Sequence, residues 1–226
     1  MPQRRLGSSS AAERVLGVLM LQTRFPRLPG DIGHAATFAC AVRYGVVAGA
    51  TPQRVVRDAE PALLDAFIAA GLSLVAQGAT ALTTSCGFLV QFQRPLQAAL
   101  PVPVWTSSLL LLSGLPQAGV VTVDARSLRP EHLREAGAAP GTPVQGLADG
   151  CAFQRTLLED LPSLDPADAQ AQVVAAALRL QARHPALRHI VLECTNMPPY
   201  AAAVRSATGC AVHDITTLVA QRFITT

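Results

Sequence analysis

Two stretches of this chain repeat one layout about half the chain apart. Each is a β-rich run that ends on a cysteine, continues through a small or polar residue and enters a helix. The first is Thr83-Thr84-Ser85-Cys86-Gly87-Phe88 and the second is Leu192-Glu193-Cys194-Thr195-Asn196-Met197-Pro198. One α/β lobe used twice places each cysteine at the same point of its own lobe. Two such lobes, facing each other, bring both thiols to one cleft at the carboxyl ends of the strands, where open α/β sheets gather ligands.

The rest of the chain alternates in the same way. Residues 15–21 (VLGVLML) form a continuous apolar run, the signature of a strand buried on both faces. Further strands are expected at 81–85, 102–105, 120–123, 189–193 and 211–213. Helices are expected from Thr51-Pro52 to Gly71 with a break at Pro61, and at 88–100, 128–136, 165–183, 198–208 and 216–223. Residues 22–31 (QTRFPRLPGD) read as a loop over the end of the first strand, and 137–150 as a flexible connection. Strands alternating with helices predict an α/β protein with mostly parallel sheets.

Composition narrows the chemistry. All 18 basic residues are arginine, which excludes Schiff-base aldolases, PLP enzymes with an internal aldimine, and P-loop NTPases. The 50% hydrophobic and 15% charged content suits a packed domain, and the net charge of +3 makes no case for nucleic acid or a membrane surface as partner. Five scattered cysteines (Cys40, Cys86, Cys151, Cys194, Cys210) show no C-x-x-C, so neither a disulfide framework, zinc nor a thiol redox protein is expected, and no metal site is assigned. No apolar run approaches the ~20 residues of a membrane span and no signal peptide is read. A cytoplasmic protein is therefore expected.

A residue between a strand end and a helix start sits among free backbone N–H groups, which bind a carboxylate and stabilise a thiolate. Thr84, Ser85, Thr195 and Asn196 add side-chain donors at the same ends. A carboxylate held between Cys86 and Cys194 invites proton transfer at the neighbouring carbon, one thiolate removing the proton and the opposite thiol delivering one. Arg24 and Arg27 in the first loop are candidate carboxylate clamps. His34 is a candidate for orienting a thiol or binding substrate, and Asp214 for a helix cap. Glu193, beside Cys194, raises that thiol's pKa unless it is paired.

These motifs resemble the aspartate/glutamate racemase superfamily, cofactor-independent enzymes that also include hydantoin racemase, maleate isomerase and arylmalonate decarboxylase. Glu193 to Pro198 is similar to the Cys-Thr-polar-x-Pro signature of the carboxy-terminal half. Thr84-Ser85-Cys86-Gly87-Phe88 resembles the amino-terminal motif, with Gly87-Phe88 where Asn-Thr is common. The resemblance covers roughly residues 14–226. It implies two similar α/β lobes with the active-site cleft between them. A flexible tail then occupies 1–13, a first lobe 14–106 with a carboxy-terminal segment from about 210 to 226, and a second lobe 107–209. It also implies no cofactor, a small-molecule carboxylate substrate and a possible homodimer. Both cysteines being present, it implies an isomerase: a racemase or epimerase with Cys86 and Cys194 catalytic. Gln22, Thr23, Thr84, Ser85, Gly87, Thr195 and Asn196 are the expected substrate contacts. The alternatives are a maleate-isomerase-like or arylmalonate-decarboxylase-like enzyme, or a non-catalytic carboxylate binder. Glutamate racemases carry Asp-Ser after the first strand. Here Gln22-Thr23 stands there, which argues against an α-amino acid substrate unless Asp31 replaces the missing acid.

Overall fold

The computed structural model describes residues 14–224, so the tail expected at 1–13 lies outside them. Strand β1 (Val15–Leu21) lies between β2 (Ala41–Val47) and β3 (Ala81–Thr84), and β4 (Val104–Trp105) completes a sheet in the order β2-β1-β3-β4. Strands β5 (Ala118–Thr122), β6 (Val144–Gly146), β7 (His189–Leu192) and β8 (Ala211–His213) form a second sheet in the order β6-β5-β7-β8. Every pairing is parallel. The two orders are the same, with β3 and β7 in equivalent places, and each of these strands delivers one of the paired cysteines.

The uninterrupted apolar character of β1 has a packing cause. Leu19 and Leu21 face the large core shared by both lobes, whereas Leu16, Val18 and Met20 face a second cluster on the other side. Gly17 is needed there, since a Cβ would overlap a methyl of Leu82. That second cluster is closed by helix α7 (Ile215–Val219) and the turn Ala220–Ile224, through Ile215, Leu218, Val219 and Phe223. The return to the first lobe thus begins after His213 rather than at about 210, because β8 is the outer strand of the second sheet.

The helices follow their local signals. After a single turn at Gln53–Arg57, the chain breaks near Pro61 and enters α1 (Leu64–Ala76). A 3₁₀ segment Gly87–Phe92 leads into α2 (Gln93–Ala99), where Pro95 sits in the first turn and breaks no internal bond. Helix α3 spans Pro130–Glu135 and α4 Ala152–Leu158. Helix α5 (Pro166–Arg183) starts on Asp165, whose side chain accepts the N–H groups of Ala167 and Asp168, and α6 spans Ala201–Thr208. Three elements carry no clear sequence signal. Strand β2 is an exposed edge broken by Arg43, Tyr44 and Gly45. Strand β6 occupies three residues inside the expected flexible connection 137–150, and α4 follows Gly150 without a capping side chain. Among the described residues no helix is long and apolar enough to cross a membrane.

Candidate active site

The two cysteine motifs meet at the lobe interface. Cys86 precedes the 3₁₀ segment with an extended backbone, and its carbonyl accepts Leu89 N–H at 3.1 Å. The Cys194 carbonyl likewise accepts Met197 N–H at 3.0 Å. Thr195 Oγ1 donates to the Ser85 carbonyl at 2.6 Å, stitching one motif to the other. Ser108 Oγ donates to Leu192 O at 2.8 Å from the opposite side. Cys86, Cys194, Ser85, Gly87, Glu193, Asn196 and Arg27 line one partly open cavity of about 30 Å³, room for one or two waters. Its apolar walls come from Leu21, Phe25, Phe88, Val123, Leu157 and Leu158.

Arg27 is the cation of this chamber. Its guanidinium lies over the Phe25 ring at 4.5 Å, donates to Thr23 Oγ1 at 3.0 Å and pairs with Asp31 at 3.0 Å. Asp31 is buried and also accepts Asn196 Nδ2, and the Cys194 thiol donates to Asn196 Oδ1 at 3.4 Å. A chain of contacts therefore runs from the first loop to Cys194.

The other expected contacts lie outside the cavity wall. Gln22 is exposed and its Oε1 accepts Gly49 N–H at 2.9 Å, so it secures a turn instead of a substrate. Thr23 positions Arg27. Thr84 is fully buried and donates to Thr106 O at 2.6 Å, and Thr195 is spent on Ser85, so both hold the strand ends together. Arg24 points away: its side chain is 73% exposed and pairs with Asp160 of the second lobe. His34 accepts Ala36 N–H within its own loop. Asp31 is committed to Arg27 and Asn196. His213 stacks on His189, with ring nitrogens 3.1 Å apart, whereas Asp214 caps α7. Arg27 was weighed from sequence only as one of two loop arginines, and nothing in the sequence marked the walls from α4. Among the described residues no cluster of His, Cys, Asp or Glu could hold a metal.

Electrostatics departs from the expectation of activated thiolates. Burial pushes the Cys86 thiol up, Glu193 adds to this, and Phe88 N–H, Arg27 and Leu89 N–H oppose it. Burial and then Glu193 hold Cys194 well above the ordinary thiol value, with Cys86 and Asp31 adding to the rise and only Asn196 N–H opposing. The backbone donors are present, but desolvation outweighs them. Arg27 is among the groups that oppose the rise at Cys86. Burial likewise raises the Glu193 carboxyl to about 8 against the Thr122 hydrogen bond, and Tyr200 to about 12.

Paired α/β lobes of the same strand order, with a cysteine from each at the seam, give the chain a two-lobed fold shared with solved structures. Unliganded arylmalonate decarboxylase shares this fold (TM-score 0.59, 16% identity, 88% of this chain and 86% of that one). A glutamate racemase from Bacillus anthracis shares it too (TM-score 0.59, 17% identity, 95% and 81%). No family model matches the chain. Among curated proteins it is similar to dimethylsulfoniopropionate lyase from Durusdinium sp. clade D, 31% identical over 88% of this chain and 70% of that one. It is also similar to dimethylsulfoniopropionate lyase 7 from Emiliania huxleyi, 31% identical over 89% of this chain and 64% of that one. The chain belongs to the family of these lyases, although it spans only 56% of a third relative, lyase 3 from Emiliania huxleyi. The expectation of an isomerase is overturned: the relatives that match most of the chain are lyases. Paired cysteines were read as two-base machinery, and they do not distinguish racemisation from elimination at the same carbon.

Proposed function

We propose that this protein is a lyase that splits dimethylsulfoniopropionate into dimethyl sulfide and acrylate. The observation that carries the reading is the chamber itself, in which two thiols, a guanidinium and a carboxyl share one apolar enclosure, in a chain belonging to a lyase family. Arg27 receives the substrate carboxylate, displacing part of its bond to Asp31. That contact acidifies the adjacent carbon and sets its proton before Cys86. The Cys86 thiolate takes the proton, and the C–H electron pair becomes the new C=C bond. The bond from the β-carbon to sulfur breaks, and sulfur leaves with its pair as neutral dimethyl sulfide. The thiol then returns its proton to solvent. A leaving group that departs neutral needs no acid, so one base completes the reaction.

The test is headspace gas chromatography for dimethyl sulfide alongside NMR detection of acrylate, using purified protein and dimethylsulfoniopropionate. Equimolar release of the two products is expected. Failure to form both would overturn the reading.

A further inference from the structure

Elimination by one thiolate leaves the Glu193 carboxyl without a task. It is 1% exposed. Oε2 accepts Thr122 Oγ1 at 2.7 Å, whereas Oε1 is buried without a partner in the wall that also holds Cys86, Cys194 and Arg27. The opposite lobe leaves space for it: a Cβ at Gly87 would overlap Glu193 Oε1 and the Glu193 carbonyl oxygen. A buried carboxyl oxygen without a partner is costly, and it persists where something else completes its bonding.

We infer that Glu193 is the cation-recognising pole of this pocket, pairing with the onium head of the substrate while Arg27 holds the carboxylate. The onium class rests on the lyase reading above. The selection of zwitterions over neutral-headed carboxylates of the same shape rests on the placement of Glu193. The ionisable groups around it are Cys86 and Cys194 at the two strand ends and Arg27 on the first loop, with Asp31 behind Arg27. Arg27 and Asp31 cancel, and burial keeps Glu193 protonated in the empty chamber. An entering cation reverses that balance, so Glu193 releases its proton to solvent and faces the cation as carboxylate.

The test uses two ligands of one shape, N,N-dimethyl-β-alanine with a protonated amine head and isocaproate with a neutral carbon there. Calorimetry with the intact protein, in buffers of differing ionisation enthalpy, gives affinities and protons exchanged. The wild type is expected to prefer the zwitterion by at least ~30-fold, the scale of a buried charge pair. From the raised carboxyl, it should release about half to one proton at pH 7. Glu193→Gln keeps the shape and an acceptor for Thr122. It should bring the preference to within about threefold and abolish proton release, while isocaproate still binds. A wild-type preference near unity, no proton release, an unchanged preference in Glu193→Gln, or binding of neither ligand would each overturn the inference. Dimethyl sulfide release by the wild type reports the lyase reading separately.

Discussion

Replacing Glu193 by glutamine should flatten the dependence of folding stability on pH. The carboxyl titrates near 4.5 when solvated and near 8 in the folded protein, where burial is the cause. The folded state therefore holds this proton more tightly than the unfolded chain. Its contribution to stability is fully present below pH 4.5 and is lost as pH rises through about 8. Integrating that single group between pH 4.5 and pH 8 gives a loss of about 4 kcal/mol, a large share of the total for a domain of this size. The raised Cys86 and Cys194 thiols act only above their ordinary value of 9.0, outside this window. His132 and His213 are lowered, mainly by burial, and pull the other way near 6.5. They are common to both proteins and cancel in the difference. Urea unfolding of wild type and Glu193→Gln across this window measures that difference directly. It should move by about 4 kcal/mol in favour of the glutamine variant towards pH 8. Stability curves that stay parallel within about 1 kcal/mol would refute the buried-carboxyl argument.

Four further outcomes are expected. Cys86→Ser should lower dimethyl sulfide release by about 10²–10⁴, and Cys194→Ser by less than about tenfold, because elimination needs one base; equal losses in a steady-state assay would point to a two-thiol mechanism. Because the Cys86 thiol is pushed up, kcat/KM should climb with pH through the neutral range, and a flat profile would count against a thiolate base. Gly87→Ala forces Glu193 out of place; it should cost about 1–3 kcal/mol in unfolding experiments and remove most activity. Arg27→Gln strands the buried Asp31 carboxylate and should cost about 3–5 kcal/mol. Adding Asp31→Asn should recover most of that stability but not the affinity for substrate, as read by urea unfolding and KM.

The architecture was legible because its main strands carry strong signals. The run 15–21 is apolar at nearly every position since β1 is covered on both faces, and the two Cys motifs fix where the lobes meet. Edge strands were not legible. Strand β2 keeps Arg43, Tyr44 and Val46 at its open side, so its sequence does not demand burial. The gathering of Cys86, Cys194, Ser85, Gly87 and Asn196 at one cavity was legible, because these residues follow directly from strand ends. It was not legible in the loop, where Gln22, Thr23, Arg24 and Arg27 lie within six residues and only the fold decides which turns inward. Thiol ionisation was misjudged for a related reason. Helix-start donors are visible in sequence, whereas the Leu, Phe and Val walls that outweigh them come from five separate parts of the chain.

The Arg24–Asp160 pair joins the loop after β1 to the turn after α4, with Asp160 Oδ1 also accepting the backbone N–H groups of Arg24 and Phe25. Through Phe25 and the turn after Leu158, both at the chamber wall, it fastens the two lobes together beside the chamber. Any parting of the lobes at this point must loosen the fastening, and exposed pairs weaken as salt rises. A zwitterion carries no net charge, so salt takes little from its diffusional approach. On the lyase reading, the two effects together predict that added salt speeds substrate entry, the reverse of its usual influence on charged encounters.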